Sequence, residues 1–124
     1  MKPGSPAIQI FGLVDDPSTR AAQRFFKERR IDVHFVDLRR RPIAPGELHR
    51  FADRLGPRAL LDAGGRAARQ SGLAHLALAD AELVERLIGG QRLLRLPLVR
   101  CGTELAVGRD EAAWRAISAS ARPD

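Results

Sequence analysis

The stretch Ala7–Leu38, AIQIFGLVDDPSTRAAQRFFKERRIDVHFVDL, decides the fold. Ala7 to Leu13 is apolar, β-branched and aromatic, the pattern of a buried strand. Asp15-Asp16-Pro17-Ser18 then gives a helix start. Asp16 suits the N-cap, and Pro17 suits the first helical position, where its missing N–H costs nothing. Ala21, Ala22, Phe25 and Phe26 fall on one helical face, and Arg20, Gln23, Arg24, Lys27 and Glu28 on the wet one. The helix is expected to end near Arg30, with Lys27, Arg29 and Arg30 complementing the negative end of its dipole. Asp32 to Leu38 alternates around Val33, Phe35 and Val36 and reads as a second strand. A strand, a helix and a strand of these lengths predict a right-handed βαβ unit with parallel strands.

Working outward, Arg39, Arg40, Arg41 and Pro42 close that unit. Pro45 opens a helix whose apolar residues Leu48, Phe51, Ala52 and Leu55 fall at helical spacing, and Gly56-Pro57 stops it. Residues 58–79, alanine-rich with Gly64-Gly65 and Gly72, predict short helical turns. Asp80 opens a helix marked by Leu83, Val84, Leu87 and Ile88 and ended by Gly89-Gly90. Leu93 to Cys101 reads as a strand interrupted by Pro97. Gly102 turns the chain, and Thr103 to Val107 pairs back. Asp110 caps a last helix with Ala113, Trp114 and Ile117 inward. The order is β-α-β, a helical insertion, then β-β-α. It predicts an α/β chain with a four-stranded mixed sheet and helices on both faces, the thioredoxin-like arrangement. Pro97 stands where that arrangement keeps a cis-proline, so a cis Leu96–Pro97 bond is expected. Residues 1–6 are expected as a flexible leader, 7–119 as one domain with its helical insertion at about 44–90, and 120–124 as a flexible tail.

Length and composition set bounds. The 124 residues suit one ordinary domain, and 44% hydrophobic with 29% charged residues argues against disorder throughout. A single cysteine, Cys101, excludes an intramolecular disulfide and any multi-cysteine metal site. On a strand it reads as a small buried hydrophobe. His34 reads as structural, and His49 and His75 as surface residues; three scattered histidines predict no metal site. Gly64-Gly65 lacks the context and the lysine of a phosphate loop. No apolar run approaches the length of a membrane span and no signal peptide is evident, so a cytoplasmic protein without membrane association is expected. The net charge of +6 comes almost wholly from arginine, with Lys2 and Lys27 the only lysines. No aromatic-interleaved basic motif accompanies it, which argues against specific nucleic-acid binding.

Beyond periodicity, the segment FGLVDDPSTRAAQRFFKERRIDVHFVDLRRRPIAPGELHRF resembles the opening of the arsenate reductase (ArsC) family, which includes the Spx regulators. In that family an aromatic and a glycine end the first strand. Cys-x-x-Cys or Cys-x-x-Ser and an arginine follow, then an amphipathic helix, a strand ending in an acidic residue, and a P-x-x-x-x-E-L segment that opens the next helix. Here Phe11-Gly12, Arg20, Asp37, Pro42 and Glu47-Leu48 hold those places. LGPRALLDAGGRAAR is similar to the family's L-L-N-x-x-G stretch, and LLRLPLVRCGTELAVGRDEAAW to its R-P-I ending. The resemblance runs over roughly residues 7 to 117 and implies a glutaredoxin-like, bacterial-type thioredoxin fold.

The resemblance also implies where chemistry would lie, and there this chain departs. The family's nucleophilic cysteine falls on Asp16, and the second position of the pair on Thr19. The anion-binding arginine before the cis-proline falls on Leu96; Arg20 and Pro97 remain as structural parts of the old site. Arg95 points to the opposite strand face, Arg100 lies four residues away, and Arg109 is the candidate anion-binding arginine that remains. A carboxylate cannot form the mixed disulfide that such reduction needs. No catalytic residue is therefore expected, and the enzyme question stays open at this point. The leading expectation is a family member without arsenate reductase activity, acting as a binding or regulatory module with no cofactor. One alternative is a glutathione- or glutaredoxin-linked arsenate-type reductase with a noncanonical site, for which glutathione would be the cofactor. Another is an Spx-like transcription regulator docking on RNA polymerase. Arg39, Arg40, Arg41, Arg50 and Arg54 form the candidate patch for an acidic protein partner of that kind.

Overall fold

A computed structural model describes residues 7–73 and 76–121. The chain forms two compact units, Met1–Arg41 with Leu96–Asp124, and the inserted Pro42–Arg95.

The first unit carries the sheet. Strands β1 (Ile8–Gly12), β2 (Val33–Asp37), β3 (Leu98–Cys101) and β4 (Glu104–Val107) lie in the order β2-β1-β3-β4. β1 pairs with β2 in parallel, in the register Ile8 with Val33 through Gly12 with Asp37. β3 lies antiparallel to β1, with Phe11 opposite Leu98 and Ile8 opposite Cys101, and β4 lies antiparallel to β3. The β3–β4 turn is the two residues Gly102-Thr103; Gly102 takes φ 62, the first position of a hairpin turn that favours glycine. Helices α1 (Pro17–Glu28) and α6 (Glu111–Ala121) supply Ala22, Phe25, Phe26, Trp114 and Ile117 to a core built on Ile8, Ile10, Val99, Cys101 and Ala106. Phe25 makes edge contacts with Phe26 and Trp114, at ring-centroid distances of 5.3 and 5.6 Å.

α1 ends at Glu28, two residues before the expected end near Arg30. Arg30 takes the left-handed conformation at φ 58. Its N–H donates to the Lys27 carbonyl and the Ile31 N–H to that of Phe26, which closes the helix with the paired bonds of a Schellman turn. Arg29 lies over the Phe25 ring, 3.5 Å from its centroid, with Nη1 donating to the Phe25 carbonyl near the negative end of the helix. At the other end of the unit, Asp110 caps α6 through the Ala113 N–H, 3.0 Å away.

The second unit is helical. It holds α2 (Pro45–Leu55), α3 (Pro57–Leu60), α4 (Arg66–Ser71), α5 (Asp80–Gly89) and a 3-10 turn at Gln91–Leu93. Leu48, Phe51, Ala52, Leu60, Leu83, Val84 and Leu87 are buried. Leu55, expected on the apolar face of α2, is exposed. The helix stops at Gly56 (φ 83), so Leu55 occupies an open last turn. The expected strand Leu93–Cys101 is also shorter. Its first residue, Leu93, belongs to the 3-10 turn, Leu94 makes a lone bridge to Leu61, and regular pairing begins only at Leu98, after the cis Leu96–Pro97 bond. The Ile43 N–H donates to Gln91 Oε1 at 2.9 Å, which ties residues near the two ends of this unit.

Candidate functional site

Strand register gathers the candidate residues of the first unit at one end of the sheet. β1 and β2 finish together at Gly12 and Asp37, and β3 starts beside them at Leu98. The segments Leu13–Asp16, Leu38–Arg41, Leu96-Pro97 and the stretch after β4 therefore meet at that end. The Gly108 N–H donates to the Pro97 carbonyl at 2.9 Å, which carries Arg109 to the same place. This is the carboxyl end of the parallel pair, where open α/β sheets place ligands.

Asp16 is the N-cap of α1. Its Oδ2 accepts both the backbone N–H and the Oγ1 hydroxyl of Thr19, each at 2.8 Å. The N–H is that of the third helical residue, so the bond satisfies a donor that the helix itself leaves without a partner. Thr19 is fully buried, under the end of β1, and a β-carbon on Gly12 would stand 2.5 Å from its Oγ1. Gly12, Asp16 and Thr19 therefore form one packed unit. The carboxylate occupies the terminus where an anion or a thiolate would sit. Asp16→Ala is expected to destabilise the fold by about 0.5–2 kcal/mol, and Asp16→Asn by less, since an amide oxygen still accepts from Thr19. Denaturant midpoints of the two variants check this; equal stability of Asp16→Ala and the parent chain would refute the cap.

The other positions offer no thiol chemistry either. Leu96 and Pro97 are buried; Arg20 and Arg109 are exposed. Cys101 lies in β3 and is 2% exposed. Burial pushes its thiol pKa up, the Glu104 carboxylate raises it further, and Arg100 opposes both. The thiol therefore keeps its proton at neutral pH and is a poor nucleophile. Arg100, the neighbour of Cys101 in β3, is engaged within the sheet. It is held across the sheet, with Nη2 donating to Gln9 Oε1 and Nη1 to the Gly102 carbonyl.

The five arginines of the candidate patch divide between the units. Arg39, Arg40 and Arg41 are exposed in the first; the Arg39 N–H donates to Asp37 Oδ1 at 3.1 Å, and its guanidinium Nε lies 4.0 Å from the same oxygen. Arg50 and Arg54 are exposed on α2 in the second, with Arg50 Nε 3.8 Å from Glu47 Oε2. Arg40 and Arg41 also line an open cleft of about 480 Å³ with Val14, His34, Val36 and Asp37. Sequence reasoning missed this cleft. It took His34 as structural, whereas His34 is exposed. The missed signal was its place between Val33 and Phe35, whose side chains turn to the core and so send that of His34 outward. His49 is exposed, and His75 lies outside the described residues. Among the described residues no group of His, Cys, Asp and Glu could hold a metal ion, and no helix is long and apolar enough to cross a membrane.

The model of the ArsC family matches residues 17–117 of the sequence. No curated protein matches it. Solved structures do. The YFFB (PA3664) protein superposes with a TM-score of 0.82 at 20% identity, over 90% of this chain and 98% of that one. An arsenate reductase from Vibrio cholerae gives 0.79 at 18% identity, over 91% and 98%. An arsenate reductase (ArsC) related protein from Brucella melitensis gives 0.69 at 21% identity, over 93% and 97%. At these identities the structures bear on the fold alone.

Proposed function

Since this chain belongs to the ArsC family, we propose that it keeps the family's thioredoxin-like fold as a cytoplasmic binding or regulatory module and has no arsenate reductase activity. One observation carries the reading. The N-terminus of α1 is occupied by the Asp16 carboxylate, engaged twice by Thr19, and not by a thiol. Reduction of arsenate through glutathione and glutaredoxin requires a thiolate that forms and breaks bonds to arsenic and sulfur. Asp16 supplies none, its charge repels the oxyanion, and Leu96 offers no guanidinium in compensation. No cofactor is part of this reading. The exposed Arg39–Arg41 run favours an acidic protein surface as the partner, as an Spx-like docking role would have it.

The test is arsenate reduction by the purified chain with glutathione and glutaredoxin. No turnover above background is expected, and turnover that depends on the protein would overturn the reading. Alkylation of Cys101 by iodoacetamide is expected to be slow in the native chain at neutral pH and fast after denaturation. The same raised thiol pKa has a pH consequence. Its contribution to stability is complete below the ordinary thiol pKa and is lost as pH climbs through the raised one, so the denaturation midpoint should fall in alkali. Rapid native alkylation would restore a thiol mechanism to consideration.

A further inference from the structure

β2 is a terminal strand of the sheet, and its register fixes which of its backbone groups face outward. The Leu38 N–H donates to the Gly12 carbonyl, so Leu38, Val36 and His34 turn their backbone groups toward β1. Alternation then leaves the N–H and C=O of Val33 and Phe35 on the outer edge. Beyond them the Asp37 carbonyl accepts from the Arg40 and Arg41 N–H groups and closes the edge with a turn. Two open clefts follow this strand. The larger takes in His34 to Asp37, and the other, about 370 Å³, includes Val33 with Gln23, Lys27, Arg30 and Asp32. Their linings carry four cations, Lys27, Arg30, Arg40 and Arg41, against the carboxylates Asp32 and Asp37. Asp37 is already engaged by the Arg39 N–H.

We propose that the outer edge of β2 receives an acidic, extended segment of a partner protein as a fifth strand. The proposal rests on the binding-module reading and names the partner's chemistry. Main-chain bonds from Val33 and Phe35 would supply the pairing, as in other cases of strand addition. The charges select the sign of the incoming strand. Basic residues flank both ends of the edge and outnumber the carboxylates there, so an acidic segment is attracted at each end. A second copy of this chain is not. Two-fold pairing of β2 with itself is antiparallel and sets the Arg40-Arg41 end of one copy against the Lys27–Arg30 end of the other. Charged flanks of this kind commonly guard an edge against self-association. They exclude a basic edge and admit an acidic strand.

The experiment uses the full chain, labelled with 15N, and a synthetic peptide of five Glu-Val repeats as the probe. Amide exchange at Val33 and Phe35 is expected to slow about tenfold on saturation, while His34 and Val36, already bonded to β1, change little. Inorganic polyphosphate of matched charge should leave Val33 and Phe35 unprotected. The double variant Lys27→Glu/Arg40→Glu should bind the peptide about tenfold more weakly, and added salt should weaken binding to the parent chain. Four results overturn the proposal: no peptide binding, binding without protection of Val33 and Phe35, equal protection by polyphosphate, or concentration-dependent protection without peptide, which would mark a second copy on the edge. Arsenate turnover measured on the same sample reads the other hypothesis. Turnover defeats the binding-module reading and leaves the edge data standing, whereas lost protection without turnover defeats only the strand addition.

Discussion

Trp114→Ala is expected to destabilise the chain by about 3–5 kcal/mol, and Trp114→Phe by less than about 1.5 kcal/mol. Trp114 is 1% exposed and packs edge-on against Phe25 in the core between the sheet and α1. Alanine removes nearly all of that buried surface and leaves a cavity lined by rigid aromatic and aliphatic groups. Phenylalanine keeps an aromatic ring and removes a liability. The indole Nε1 is buried with no hydrogen-bond partner among the described residues. An unsatisfied buried donor costs about 1–3 kcal/mol, so its deletion offsets part of the lost packing. Chemical denaturation of both variants checks the contrast. A Trp114→Phe variant as unstable as Trp114→Ala would refute the contrast.

Gly12→Ala is expected to cost about 1–3 kcal/mol or more, although it adds one methyl group to the end of a strand. The new carbon would lie 2.5 Å from both Thr19 Oγ1 and Thr19 Cγ2, and 3.0 Å from its Cβ. Thr19 has no room to retreat, since it is fully buried and its hydroxyl is fixed to Asp16. The methyl group therefore pushes on the helix cap as well as on the strand. In a Thr19→Ala background two of those three close contacts disappear, and much of the penalty should vanish with them. A double-mutant cycle is expected to return a coupling energy of about 0.5–3 kcal/mol. Strictly additive effects would mean that Gly12 and Thr19 do not press on one another.

The parts of this chain that were legible in its sequence are those governed by local rules. Asp16-Pro17 named its own helix start because a short acidic side chain and a proline have few other uses in that order. The Phe25–Phe26 face and the alternation in β2 were legible because burial imposes a period. Misreadings arose where a neighbour interrupts the pattern. Leu55 keeps the helical spacing of Leu48 and Phe51, yet Gly56 ends the helix beneath it. Leu93 and Leu94 are apolar, but pairing with β1 waits until the chain has passed Pro97. The candidate site divides in the same way. That the α1 cap carries a carboxylate and not a thiol is read from one residue type at one position. The arginines Arg39, Arg40 and Arg41 follow β2, and Arg50 and Arg54 share a face of α2, as their spacing in the sequence implies. The cationic edge of β2 was not legible, because it depends on which strand ends the sheet, a property of the pairing order.

The Ile43–Gln91 hydrogen bond bears on how the protein acquires its structure. During synthesis the first βαβ segment leaves the ribosome well before Leu98–Cys101, so β1 waits for an antiparallel neighbour that the whole of Pro42–Arg95 delays. Closing so long a segment as loose chain carries an entropic cost that grows with its length. Ile43 and Gln91 stand 48 positions apart and are bonded within the inserted unit. Once that unit is folded, its two ends are held together, and the segment behaves as a short, stiff link. The link lowers the entropic cost of bringing Leu98–Cys101 beside β1, because a folded insertion spans the connection in place of a loose chain.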